Sequence, residues 1–154
     1  MKQPDTLNHV AKFHKTFKHP ILTVPTIPSK ERSDLRVALI AEELKELETA
    51  IANNDITEIA DALCDLQYVL TGTVLEFGLG GKFNDLFEEV QRSNMSKTCS
   101  TETEALATIE HYKNNKNTEC YCVQENDVWL VYRKDDNKTI KSINYSPANL
   151  KDLL

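Results

Sequence analysis

Val37 to Leu70 reads VALIAEELKELETAIANNDITEIADALCDLQYVL, and its apolar and acidic spacing decides the fold. At 100° per residue, Val37, Ile40, Leu44, Leu47 and Ile51 form one apolar arc, which predicts a helix from about Lys30 to Asn53. After the break Asn53-Asn54-Asp55, the residues Ile59, Leu63, Leu66, Leu70 and Phe77 repeat the arc and predict a second helix to about Phe77. Glu43 and Glu46 flank the first arc on a strip with Leu39 and Ala50, while Glu42, Lys45 and Thr49 fall on its far side or margin. On the second helix Glu58, Asp61 and Asp65 form a strip bordered by Ala62 and Val69. If the two helices pair antiparallel through the short break, the acidic strips face each other and bring Glu43, Glu46, Glu58 and Asp61 together.

Charge sharpens this reading. The 154 residues carry 18 basic and 24 acidic side chains, net −6. No Lys or Arg occurs between Lys45 and Lys82, whereas Glu46, Glu48, Asp55, Glu58, Asp61, Asp65 and Glu76 fall inside that stretch. Carboxylates at a partly buried seam without basic partners are destabilised by desolvation and repulsion. A hard divalent cation removes the conflict, and Mg²⁺, with Mn²⁺ as a substitute, accepts oxygen ligands and bridges carboxylates to phosphates. The plain alternative is that these are solvated acids on two exposed helix faces.

Outward from this hairpin, Leu7, Val10, Phe13 and Phe17 predict a helix from Thr6 to about Lys18, closed by His19-Pro20. Pro20, Pro25 and Pro28 mark an extended connection, with Ser29 or Ser33 as N-cap of the next helix. Gly78, Gly80 and Gly81 stop the second long helix, and a shorter helix covers about Lys82 to Arg92. The expected fold is an all-α four-helix bundle over residues 1–98 that oligomerises as a homodimer or homotetramer. Residues 99–154 form a small C-terminal α/β appendage. It comprises a helix over about Glu102 to Asn114 and three short strands at Glu119 to Gln124, Val128 to Lys134 and Thr139 to Ile143.

Several function classes drop out. An acidic chain lacks the basic face of a duplex nucleic-acid binder, and no apolar run approaches the roughly 20 residues of a membrane span. The N-terminus Met1-Lys2-Gln3-Pro4-Asp5 has no apolar signal core, so a cytoplasmic location is expected. Cys120-x-Cys122 has no complementary pair for zinc, and Cys64, Cys99, Cys120 and Cys122 are read as reduced thiols. No Glu-x-x-His pair suits a di-iron site. No Gly-Lys-Ser/Thr loop exists to cradle phosphates, which leaves phosphate recognition to the metal and to scattered cations, Arg92 and Lys97 being the best placed.

Glu42-Glu43-x-x-Glu46, followed twelve residues on by Glu58-x-x-Asp61, resembles the signature of the all-α nucleoside triphosphate pyrophosphohydrolases. That superfamily includes MazG-like proteins, dimeric dUTPases, dCTP pyrophosphatases and phosphoribosyl-ATP pyrophosphohydrolase. Arg36, the run Leu39 to Leu44, the run Ile59 to Leu66, and Glu89 to Lys97 extend the resemblance over about residues 7–98. The resemblance implies that Glu43, Glu46, Glu58 and Asp61 are metal ligands, with Asp65 binding a further metal or orienting a ligand. It implies Glu42 as the base for the attacking water, which with Glu46 and Asp61 makes the catalytic set, and Asn94 and Lys97 as nucleotide contacts, Lys97 on phosphate; Arg92 joins them as a substrate contact from its placement alone. The implied reaction gives a nucleoside monophosphate and pyrophosphate from a (deoxy)nucleoside triphosphate. A phosphoribosyl-ATP substrate and a non-catalytic helical metal- or partner-binding module are the alternatives. The tail segment Lys141 to Leu150 resembles a C-terminal stretch of some bacterial and phage-type members, where it either folds over a site or serves packing alone.

Overall fold

The structure is a computed structural model and describes residues 4–154; Met1 to Gln3, the head of the polar N-terminus, lie outside the described residues. It contains five α-helices, α1 (Thr6–Phe17), α2 (Lys30–Ala52), α3 (Ile56–Glu76), α4 (Phe83–Met95) and α5 (Glu102–Lys116), and two strands, β1 (Cys120–Glu125) and β2 (Val128–Arg133). The chain divides into two compact units, one ending at Phe83 and one running Asn84–Leu154.

The first unit is built on the α2–α3 hairpin. The Ser29 hydroxyl caps α2 by accepting from Arg32 N. Asn54 takes a left-handed φ of 54° that turns the chain, a conformation asparagine tolerates. Asp55 Oδ1 then caps α3 by accepting from Thr57 N at 3.0 Å and Glu58 N at 3.2 Å, satisfying donors the helix leaves free. The antiparallel sense is fixed at both ends. Arg32 and Arg36, early in α2, pair with Glu76 at the end of α3, while the last turns of α2 meet the first turns of α3.

The connection from α1 runs extended and docks on the end of α3 through Leu22 N to Leu75 O and Thr26 N to Phe77 O, each 3.0 Å. Gly78 is required where it stands, since its φ is +69° and a Cβ there would lie 2.0 Å from Val24 O.

The expected core arcs are not where the packing lies. Val37 is 69% exposed, Ile51 56% and Leu63 51%, and Leu44 and Leu70 are exposed as well. The seam instead runs along one edge of each arc and the strip beside it: Leu47 and Leu66 of the arcs are half-buried, as are Leu39 and Val69 on the flanking strips, where Ala50 and Ala62 are buried. Small side chains let the two backbones approach. With α1 as their third helix, α2 and α3 can each cover only one stripe of an apolar surface wider than one stripe.

The expected four-helix bundle is therefore not closed within the first unit. The division falls at Phe83 rather than at residue 98, because α4 is tied to the C-terminal segment. Arg92 donates to Ser146 Oγ (3.0 Å) and Pro147 O (3.1 Å), Ser93 and Tyr145 share a hydroxyl bond of 3.0 Å, and Asn149 N donates to Glu89 (2.8 Å).

In the second unit β1 and β2 pair antiparallel, Cys120 opposite Arg133 and Glu125 opposite Val128. They pack on α5 around Cys99, Ala105, Cys120, Val131 and Ile140, with Cys122 half-buried beside them; Cys64, Cys99, Cys120 and Cys122 are free thiols. The expected third strand shrinks to one bridge, Thr139 opposite Tyr132. Beyond it, Ser142 N donates to Lys97 O and Ile143 N to Thr108 Oγ1, each at 3.2 Å, so the ladder loses its donors to other acceptors. Among the described residues no helix is long and apolar enough to cross a membrane.

Candidate active site

The last three turns of α2 and the first two of α3 line an open cavity of about 560 Å³. Its carboxylates are Glu42, Glu46, Asp55, Glu58 and Asp61, and its floor is Ala50 and Ala62. Helix periodicity explains the set. Glu42, Glu46 and Thr49 recur every three or four residues along α2 and lead to its cap Asn53, and Asp61 and Ala62 follow Glu58 by three and four residues on α3. Lys45 is the one cation in the lining, and its ammonium is committed to Glu48 at 3.0 Å.

Glu43 and Asp65 stand beside this cavity rather than on its wall. Glu43 is half-buried at the seam. Burial pushes its pKa up, and the charges of Asp65, Glu46, Glu42 and Asp61 push it further the same way. The acidic field inferred from sequence is thus present and uncompensated at Glu43. Glu76 is not part of it. Its carboxylate is 1% exposed and bonds both Arg32 and Arg36, so this member of the acidic stretch finds its balance on α2.

Among the described residues, no three His, Cys, Asp or Glu side chains are gathered closely enough to hold a metal ion as they stand. The donor chemistry nonetheless fits a hard divalent cation. All candidate donors are carboxylate oxygens, Glu42, Glu46, Glu58 and Asp61 are exposed and free to change rotamer, and their charge is unbalanced. Glu42, placed by the helical wheel toward solvent, lies on the exposed rim of the same cavity as Glu46.

Arg92, Asn94 and Lys97 lie at the C-terminal end of α4 in the second unit. Arg92 forks onto Glu89 at 2.7 and 2.8 Å. That guanidinium, together with the Asn149 amide, holds the Glu89 carboxyl down at about 2. Lys97 Nζ donates to Asn94 Oδ1 at 2.8 Å, leaving the ammonium two further donors.

The Arg32–Arg36–Glu76 group escaped the sequence reading, although Arg36 was noted. A single Glu within Val74-Leu75-Glu76-Phe77 was the available signal, since an acid in an apolar run is buried only with partners. His14 was also missed. It is buried, with Nδ1 2.9 Å from Pro20 O and Nε2 3.3 Å from Arg36.

A family model described as phosphoribosyl-ATP pyrophosphohydrolase matches residues 10–94. An uncharacterized protein of Acanthamoeba polyphaga mimivirus is 25% identical, with 94% of each chain covered. The family match takes in α2, α3 and the whole acidic seam, and spans more than half of the sequence. The chain belongs to the phosphoribosyl-ATP pyrophosphohydrolase family, within the MazG-like all-α nucleotide pyrophosphohydrolases.

Proposed function

We propose that the protein hydrolyses a (deoxy)nucleoside triphosphate to the monophosphate and pyrophosphate, clearing surplus or non-standard nucleotides. The observation that carries this is the cavity at the α2–α3 seam, lined by Glu42, Glu46, Glu58 and Asp61 with its only lysine engaged elsewhere. Glu43, Glu46, Glu58 and Asp61 would hold Mg²⁺, or Mn²⁺ in its place, with Asp65 behind Glu43. The ion, when bound, neutralises the phosphates and lowers the pKa of coordinated water. Glu42 on the rim takes the proton from the attacking water. Glu46 and Asp61, as ligands, would fix where the ion sits at the seam. The leaving group is pyrophosphate.

The exposed face of Val37, Leu44, Ile51 and Leu63 supports assembly as a homodimer or homotetramer. Exposed apolar side chains clustered on a helix face mark interfaces, and Leu44→Lys is expected to lower the mass seen in sizing chromatography. The matched family's own description favours a second reading, in which phosphoribosyl-ATP is the substrate.

The test is a panel of canonical and modified nucleoside triphosphates and phosphoribosyl-ATP, with Mg²⁺ or Mn²⁺ and products resolved by chromatography. Monophosphate plus pyrophosphate from a triphosphate supports the first reading. Turnover of phosphoribosyl-ATP alone selects the second. Silence across the panel refutes both.

A further inference from the structure

A second cavity of about 390 Å³ opens on the same hairpin, walled by Phe13, His19, Arg32, Arg36 and Tyr68. Leu39 and Val69 also line it. Leu39 stands four residues before Glu43 on α2, and Val69 four residues after Asp65 on α3. The cavity therefore begins one helical turn, about 6 Å, from the acidic strips on both helices. That is the offset a ribose imposes between a base and its first phosphate.

Its walls suit a flat ring. Phe13 and Tyr68 meet edge to face at 5.5 Å, and His19 stacks near-parallel on Phe13 at 5.8 Å. Phe13 and Tyr68 are each 38% exposed, so their faces are not consumed by the core. Polar supply is biased toward donors. Arg32 and Arg36 offer only N–H groups, and the carboxylate they share is shut away from solvent. Two positive charges against one negative leave the wall cationic. Arg36 Nε is buried without a partner, and both His14 ring nitrogens are occupied by Pro20 O and Arg36. Tyr68 hydroxyl and the His19 ring are the remaining groups able to accept as well as donate.

We infer that this cavity receives the base of the nucleotide whose phosphates lie at the acidic seam, and that Arg32 selects bases with a carbonyl oxygen rather than an amine at pyrimidine C4 or purine C6. O4 of uracil- and thymine-type rings and O6 of guanine- and hypoxanthine-type rings accept from such a donor. The amine that cytosine carries at C4 and adenine at C6 sets N–H against N–H there, leaving polar groups desolvated and unpaired. The inference rests on the proposed nucleotide reaction, but it has a readout that needs no turnover.

The experiment uses the full chain and calorimetric titration with the pairs dUMP against dCMP and dGMP against dAMP, alongside kcat/KM for the matching triphosphates. The expected result is at least tenfold tighter binding of dUMP and of dGMP, the partners with a carbonyl at C4 or C6, with the preference falling toward unity in Arg32→Gln. Tyr68→Leu, which breaks no ion pair, is expected to weaken all four ligands at least fivefold and keep their ranking. Equal binding within each pair, or Tyr68→Leu binding as the parent does, overturns the inference even where triphosphates are hydrolysed. Selective monophosphate binding with no hydrolysis of any nucleotide upholds the inference about the cavity and removes the proposed reaction instead.

Discussion

Replacing Glu76 with Gln tests the most buried charge in the protein. Glu76 is 1% exposed and the Arg36 side chain 7%, with Arg32 at 30%. Burial alone would raise the Glu76 pKa, but hydrogen bonds and charge from Arg36 and Arg32 outweigh it and hold the carboxyl below its ordinary range. The amide keeps the shape and one acceptor while removing the charge. Arg36, whose Nε already lacks a partner, is then left as an uncompensated buried cation. Breaking a buried pair from one side costs about 3–5 kcal/mol. For a unit of this size each kcal/mol lowers Tm by roughly 4–8 °C, so Glu76→Gln is expected to melt roughly 12 °C or more below the parent by far-UV circular dichroism. Exchanging Glu76, Arg36 and Arg32 together for Leu, Met and Met is expected to recover most of that loss, because no charge is then stranded. A Glu76→Gln protein within about 1 kcal/mol of the parent in urea titration would refute the reasoning.

Other expectations follow from the same side chains. Burial holds the His14 pKa below 6.5, so the unfolded chain takes up that proton first as pH falls. Stability should therefore be flat above about pH 6.5 and decline below it, by no more than about 1.4 kcal/mol per pH unit. His14→Gln should flatten that slope in melts between neutral and mildly acidic pH; an unchanged slope would contradict it. Glu43, with its pKa raised by burial and by Asp65, Glu46, Glu42 and Asp61, opposes folding in its charged form. Glu43→Gln should raise the Tm of metal-free protein at neutral pH and shrink the further rise that added Mg²⁺ gives the parent. A lower metal-free Tm would refute this.

The helices were legible because punctuation and periodicity agreed. Ser29 and Asp55 sit where α2 and α3 begin, Asn54 makes the turn, and Gly78 follows the end of α3. Helical spacing put Glu46, Glu58 and Asp61 on facing strips, but it chose Glu43 over Glu42 as their neighbour, whereas Glu42 lines the cavity and Glu43 stands beside it. What the residues could not convey was which of two adjacent stripes forms the seam. Val37, Leu44, Ile51, Leu63 and Leu70 are the more apolar stripe, yet the close approach of the helices uses Ala50 and Ala62. A hydrophobic arc reports what must be covered, not whether the same chain covers it. The Glu76 network pairs residues 40 and 44 positions apart, beyond any local pattern. The third strand failed because Ser142 and Ile143 give their amides to Lys97 O and Thr108 Oγ1, a competition set by the fold of the second unit.

The central claim is that the carboxylates of the α2–α3 seam perform the hydrolysis. It is tested most directly by turnover of Glu46→Gln and Asp61→Asn on the best substrate with saturating Mg²⁺, each variant checked for helix content. Outer-shell partners of a metal are each worth 10- to 100-fold, so loss of a ligand is expected to lower kcat/KM by about a hundredfold or more while the helical signal is unchanged. Turnover at the parent's rate in both variants would contradict the assignment of the chemistry to this seam.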